Sequence, residues 1–204
     1  MRRRDFLKAV PLLGMAPAQA AKVDYPQVSP AYRFSFPRDH GAHPDYRIEW
    51  WYVTGWLDGP LGFQITFFRA RPEEQSANPS RFNPRQILFA HAALSDPGRG
   101  RLLHDERAAR AGFGLAQAET GRTGVTLNDW SLALEGSRYE ARIAARDFRF
   151  ELSLLADAIV LQGERGFSRK GHRPHEASCY YSRPHLQVAG KLDGKAVSGQ
   201  AWLD

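Results

Sequence analysis

From residue 46 onward, apolar and polar side chains alternate with a period of two, and the alternating runs end at Gly, Pro, Asn or Asp. That period belongs to strands. Over residues 46–57 one face carries Tyr46, Ile48, Trp50, Tyr52, Thr54 and Trp56, while the other begins with Arg47 and Glu49. Asp58-Gly59-Pro60 then turns the chain, and Leu61, Phe63, Ile65 and Phe67 share one side of the return, so the two segments read as a β-hairpin. A polar stretch, 72–84, separates this hairpin from the next strand, 86–94, which stops before Asp96-Pro97-Gly98. Thirteen residues is long for a plain connection, and such loops serve either as lids or as mobile links.

The one segment with helical composition is 103–118, rich in Ala, Glu and Arg, and Gly112 and Gly114 limit it to one or two turns. Strand alternation then resumes through Trp130, Leu132 and Leu134, through Tyr139, Ala141 and Ile143, and through Phe148, Phe150, Leu152 and Leu154. Short runs at 158–161, 177–182, 185–192 and 196–203 complete the series, the last two joined by Asp193-Gly194-Lys195. Nine or ten strands in sequential hairpins predict an all-β chain closed into a barrel.

Of the 204 residues 43% are hydrophobic and 12% aromatic, enough for one substantial core. The net charge of +6 would suggest a nucleic-acid partner, but half of the excess lies in the first eight positions, in Arg2, Arg3, Arg4 and Lys8 against Asp5. Those residues open a segment built like an export signal: a basic start, a weakly apolar stretch from Ala9 to Ala16, and the small-residue exit Ala18-Gln19-Ala20. Arg3-Arg4-Asp5-Phe6-Leu7-Lys8 resembles the twin-arginine signature at every defined position. Pro11, Gly14 and Pro17 interrupt any amphipathic helix there. Residues 1–20 are therefore expected to be a signal, the folded domain to span 21–204, and the protein to work in the periplasm or cell envelope, without nucleic acid. No apolar run reaches the length of a transmembrane helix. The single cysteine, Cys179, excludes an internal disulfide framework and reads as a small buried hydrophobe.

Several blocks together resemble one family: Asp39-His40-Gly41-Ala42-His43-Pro44, Glu49-Trp50-Trp51-Tyr52-Val53-Thr54-Gly55, Phe67-Phe68-Arg69, Ala90-His91-Ala92-Ala93-Leu94-Ser95-Asp96, Tyr180-Tyr181-Ser182-Arg183-Pro184 and Gly199-Gln200-Ala201-Trp202-Leu203-Asp204. They are similar to the lipocalin-like family that includes AttH and carotenoid 1,2-hydratase (hydroxyneurosporene synthase). The resemblance implies a lipocalin-like antiparallel barrel, the first of a tandem pair. The Ala-Trp-x-Asp block stops in mid-strand at Asp204, so the second barrel is expected to be missing and the exposed half of the contact between barrels to be apolar.

Three functions follow from the resemblance. The chain would bind a lipid or isoprenoid in an aromatic-lined cavity, or hydrate an isoprenoid double bond without a cofactor, or serve as an accessory to an envelope lipid transporter. Ligand contacts fall to Trp50, Trp51, Tyr52 and Trp56, which otherwise would simply fill the barrel. Glu49, His91, His40, Tyr180 and Asp204 are the candidate acids and bases. Three of them have a plainer role open: Glu49 could pair with an arginine, His91 could be a bonded core histidine, and His40, with His43, could sit in a solvated loop that Asp39 orients. His40-x-x-His43, His172-x-x-His175 and His185 are the only imidazole spacings of interest, and no cysteine pair or helical His-Glu-x-x-His supports a metal site. Serine-hydrolase and phosphate-loop patterns are absent.

Overall fold

The computed structural model describes residues 20–76, 80, 82–173 and 176–204. The expected export signal, apart from Ala20, lies outside the described residues, as do residues 77–79 and 81 of the polar loop. Eleven strands form the path of one antiparallel sheet, with Val160–Leu161 a twelfth, off the path: β1 (Ile48–Leu57), β2 (Leu61–Ala70), β3 (Ile87–Asp96), β4 (Arg101–Arg110), β5 (Ala116–Ala118), β6 (Gly124–Leu127), β7 (Trp130–Glu135), β8 (Arg138–Ala144), β9 (Arg149–Leu155), β10 (Tyr181–Leu192) and β11 (Lys195–Leu203). Their spatial order is β4-β3-β2-β1-β11-β10-β9-β8-β7-β6-β5. Every neighbour in that order is also a neighbour in sequence, except where β1 meets β11. The sheet is thus an up-and-down barrel, nearly closed, with one ladder missing between β4 and β5. The short strands Ala20–Lys22 and Glu74–Ser76 pair with each other, as do Phe167–Arg169 and Ala177–Cys179.

The alternation seen in the sequence sets the faces. Along β1, Trp51, Val53 and Leu57 are buried, and along β2 so are Phe63, Ile65 and Phe67. With Leu88, Ala90, Leu94, Trp130, Leu132, Phe150 and their neighbours they fill the barrel. The aromatic row of β1 takes the other parity and faces outward: Trp56 is 58% exposed, and Trp50 and Tyr52 lie opposite Phe68 and Thr66 of β2. These rings therefore neither fill the barrel nor line a cavity within it.

The barrel path has eleven strands, close to the nine or ten expected: β4, β5 and β6 join it, while Val160–Leu161 pairs beside β10 off the path and Ala177–Cys179 lies in a separate sheet. One expectation is corrected. The segment 103–118 contains no helix; β4 pairs with β3 over ten residues, from Ile87 opposite Arg110 to Asp96 opposite Arg101. Ladder formation and the burial of Leu103 override the helical preference of Ala, Glu and Arg. Among the described residues no α-helix occurs, and none is long and apolar enough to cross a membrane.

At the seam the β4 edge is tied across by side chains. The Arg107 guanidinium donates to the Ala144 carbonyl at 2.8 Å, lies 3.6 Å from Asp129 and stacks 5.0 Å above the Trp130 ring. Asp105 accepts from the Arg146 backbone N–H at 3.0 Å, and Arg101 approaches Asp147 at 3.6 Å. These contacts also deny the long edge to other chains. Arg107→Ala is expected to lower unfolding stability by about 1–2 kcal/mol, read from the urea midpoint, and to speed amide exchange along β4. An unchanged midpoint would mean that backbone packing alone holds the seam.

Candidate ligand cavity and its acid–base groups

A cavity of about 410 Å³ lies against the start of β1. Its walls come from the lead-in (Tyr25, Val28, Tyr32, Phe34), the turn region from Asp39 to Tyr46, the first residues of β1 (Ile48, Glu49, Trp50, Trp51), residues 177–181, and Asp204. The lead-in has no ladder to hold it, so aromatic contacts do so. Phe34 stacks on Phe36 at 5.7 Å, and both present edges to Tyr181. The Tyr25 hydroxyl donates to the Arg71 carbonyl at 2.9 Å.

Beneath the cavity the turn Arg38–His40 plugs the barrel end. Gly41 is required here by space: a Cβ would sit 2.3 Å from the Gly121 nitrogen. His40 is buried and its carbonyl accepts from Trp51 Nε1 at 3.1 Å and Thr123 Oγ1 at 2.9 Å. The Arg183 guanidinium lies 3.2 Å from its Nε2 and the Tyr181 hydroxyl 3.0 Å from its Nδ1. Burial, helped by the Arg183 charge, pushes the imidazole down to about 4, so His40 is neutral. Arg183 can only donate, which puts the ring proton on Nδ1, directed at the Tyr181 oxygen. His40 is a neutral strut of the plug.

Arg69 organises the turn above it. This arginine takes an inward position of β2, with its side chain 1% exposed. Nε donates to Glu49 at 2.7 Å, Nη1 to the Tyr46 carbonyl at 2.8 Å and to Gln86 Oε1 at 3.0 Å, and Nη2 to the His43 carbonyl at 3.0 Å. Glu49 thereby pairs with an arginine, and it also accepts from the His43 backbone N–H at 2.7 Å and lies 3.0 Å from His43 Nδ1. The other imidazole nitrogen is 3.3 Å from Asp39. Held between two carboxylates, Glu49 first, His43 has its pKa raised. Asp39 is buried, which opposes its charge, yet Arg38, the Ser35 N–H and His43 outweigh burial and hold it at about 2. The result is a fixed carboxylate–imidazole–carboxylate chain on the cavity wall.

A second pair stands opposite in sequence. The Tyr180 hydroxyl donates to Asp204 at 2.8 Å, and Ser182 Oγ and Trp202 Nε1 donate to the same carboxylate at 2.5 Å. Burial and the Asp204 charge push Tyr180 up to about 12, and the Trp50 ring lies 6.2 Å away. Cys179 also lines the wall, its thiol pushed up to about 11 by burial and Asp39, which removes it as a nucleophile.

Of the nine residues singled out from sequence, the cavity gathers Glu49, Tyr180, Asp204, Trp50 and Trp51, with His40 just below. His91 lies apart, half exposed on the outer face of β3, 4.0 Å from Glu106 and flanked by Phe68 and Phe89. Tyr52 and Trp56 face outward beyond the cavity. Neither His43 as an acid nor Arg69 as an organiser is apparent from the sequence pattern, in which the one signal for Arg69 is a charge at an inward position, in step with Phe63, Ile65 and Phe67. Among the described residues no group of three His, Cys, Asp or Glu side chains could hold a metal ion, and His175 lies outside them.

The family model described as AttH-like matches residues 27–204. The chain belongs to the AttH-like family. A crystal structure of a protein named as an AttH from Nitrosomonas europaea aligns with a TM-score of 0.76 at 51% identity, over 87% of this chain and 56% of that one. Kievitone hydratase from Nectria haematococca aligns with a TM-score of 0.58 at 9% identity, over 92% of this chain and 55% of that one, a likeness of fold alone. The AttH-like chain thus spans little more than half the length of either structure. Curated proteins give no match.

Arg69→Ala leaves Glu49 and two carbonyls buried without their partner, and is expected to cost about 3–5 kcal/mol in denaturant unfolding; a loss under 1 kcal/mol would show that the turn is held by other contacts. The His43 chain also sets a pH window. Because its folded pKa is above the unfolded 6.5, its stabilisation is complete below 6.5 and disappears as pH rises through the folded value. Asp39 works in reverse, its contribution present above 3.8 and lost toward about 2. Melting temperature should therefore fall as pH rises above 6.5, and His43→Gln should flatten that limb. A variant whose limb above 6.5 matches the parent's would assign the dependence elsewhere.

Proposed function

We propose that this AttH-like protein is exported to the periplasm and holds a predominantly apolar small molecule, of lipid or isoprenoid type, in the cavity beside β1. The observation that carries the reading is the composition of the wall: rings from the lead-in, from β1 and from residues 180–181 enclose a space of about 410 Å³, within the range of small-molecule sites. Polar groups line one part of it, and Asp39, Glu49 and Asp204 among them are fixed in place by Arg38, Arg69 and Ser182, which suits orientation of a hydroxyl or carbonyl in an otherwise apolar ligand. The twin-arginine resemblance of residues 3–8 supports export.

A second reading, a cofactor-independent hydro-lyase, is favoured by one observation. An imidazole whose pKa is raised by two carboxylates, His43, and a phenol–carboxylate pair, Tyr180 and Asp204, line the same aromatic cavity. Hydration of an alkene puts a proton on one carbon and the oxygen of water on the other, and needs an acid and a water-orienting acceptor in a dry, aromatic setting. Asp204 is the acceptor in this scheme and Glu49 a positioning residue that holds His43. His91 has no part in it.

Native mass spectrometry and solvent extraction of the purified protein test the first reading, with farnesol as the added probe. The expected result is a copurifying apolar molecule, and farnesol binding weakened about tenfold in Trp50→Ala. A folded, empty protein whose melting temperature farnesol does not shift overturns it. Under the second reading Asp204→Asn and Tyr180→Phe keep probe binding and lose hydration of the probe; equal turnover in parent and variants rejects it.

A further inference from the structure

Away from the cavity wall, one convex tip is apolar and basic together. Phe82 and Phe113 stack at 5.4 Å with ring planes 12° apart, and they are 71% and 52% exposed. Leu115, also exposed, continues the apolar surface. The Arg110 guanidinium lies over both rings, 5.2 Å and 4.1 Å from their centres, and donates to the Phe82 carbonyl. Arg85 is exposed on the same approach to β3. Among the described residues no carboxylate pairs with either arginine. The backbone goes to some trouble to build this tip: Gly112, Phe113 and Gly114 all have positive φ, at 94°, 59° and 72°. For a bulky aromatic residue that conformation is strained, and relaxing it would swing the ring away from its partner.

We propose that this tip docks the protein on an anionic lipid surface. Paired phenyl rings with a leucine reach the depth of the acyl boundary, while arginines beside them meet the phosphates, the division of labour of interfacial anchors. Its position supports a membrane over a soluble partner. Arg110 pairs with Ile87, Ile87 with Ala70, and Ala70 with Ile48 of the cavity wall, so the tip lies at the same end of these strands, about 15 Å across the sheet. Gln86 joins the two physically, since its side-chain amide donates to the Pro44 carbonyl at 3.0 Å and its own carbonyl accepts from the Ala111 N–H at 2.9 Å. A docked tip brings the cavity region to the lipid surface, and an apolar ligand can pass between them with little exposure to water. That last consequence rests on the cavity holding such a ligand; the docking does not.

Vesicle co-sedimentation of the purified protein tests the docking, comparing phosphatidylcholine vesicles with vesicles containing about one-third phosphatidylglycerol. Binding is expected to the anionic vesicles, weakening from about 50 to about 500 mM salt. The double variant Phe82→Ser with Phe113→Asn, in which Asn tolerates the left-handed backbone, should bind about tenfold or more weakly. Arg110→Gln should lose much of the salt dependence, and unchanged melting temperatures establish that the variants fold. No partition to either vesicle, or equal partition by parent and double variant, overturns the proposal and leaves the tip to a protein partner. Vesicle binding by a protein that ignores farnesol would uphold the tip while removing the ligand reading of the cavity.

Discussion

A guanidinium enclosed by a barrel wall is costly to desolvate, and it persists at Arg69 because nearly every donor has a fixed acceptor. Those acceptors belong to three separate segments: Glu49 on β1, the carbonyls of the 43–46 turn, and Gln86 ahead of β3. One side chain therefore sets where the turn runs, which way Glu49 points and, through Glu49, how the His43 ring is oriented. The cavity inherits its polar wall from this arrangement. Without the pair, the turn would have no ladder to define it, since residues 41–47 form no strand.

Below that pair the barrel end is sealed rather than open. His40, kept neutral among Tyr181, Arg183 and Trp51, acts as a stopper, and the cavity lies beyond the filled interior. It is enclosed by the first residues of β1, the 39–46 turn, residues 177–181 and the aromatic lead-in, so its volume depends on how firmly the lead-in is held by Phe34, Phe36 and Tyr25. The two acid–base groups are consequently at a boundary between packed protein and lead-in.

The barrel was legible because period-two alternation reports which residues share a face, and it placed the interior of β2 and β7–β9 correctly. Alternation is silent on which face is inside. An aromatic row on β1 looked like an interior, yet Trp51, Val53 and Leu57 of the opposite parity pack the core, and Gly55 permits close approach to Ala201. The strand β4 was hidden because its Leu, Ala and charged residues come in runs instead of alternating, and that composition satisfies helical preference. For the site, Glu49, Tyr180 and Asp204 were recoverable as blocks in a family-like order. The role of His43 was legible only in part: Asp39 could be placed beside it, but not the Glu49 carboxylate, which Arg69 holds against the turn.

The order of the barrel carries a kinetic meaning. All its ladders but one join consecutive strands, which can zip locally as soon as both are present. The exception joins β1 to β11 and brings Val53 opposite Leu203, about 150 residues apart. Until that ladder forms, the outer edge of β1 and the Trp51 side of the core stay uncovered, and the plug at His40 has only part of its seat. The rate-limiting event in assembly is thus expected to be a single long loop closure, late and cooperative, which turns two curled half-sheets into one enclosure.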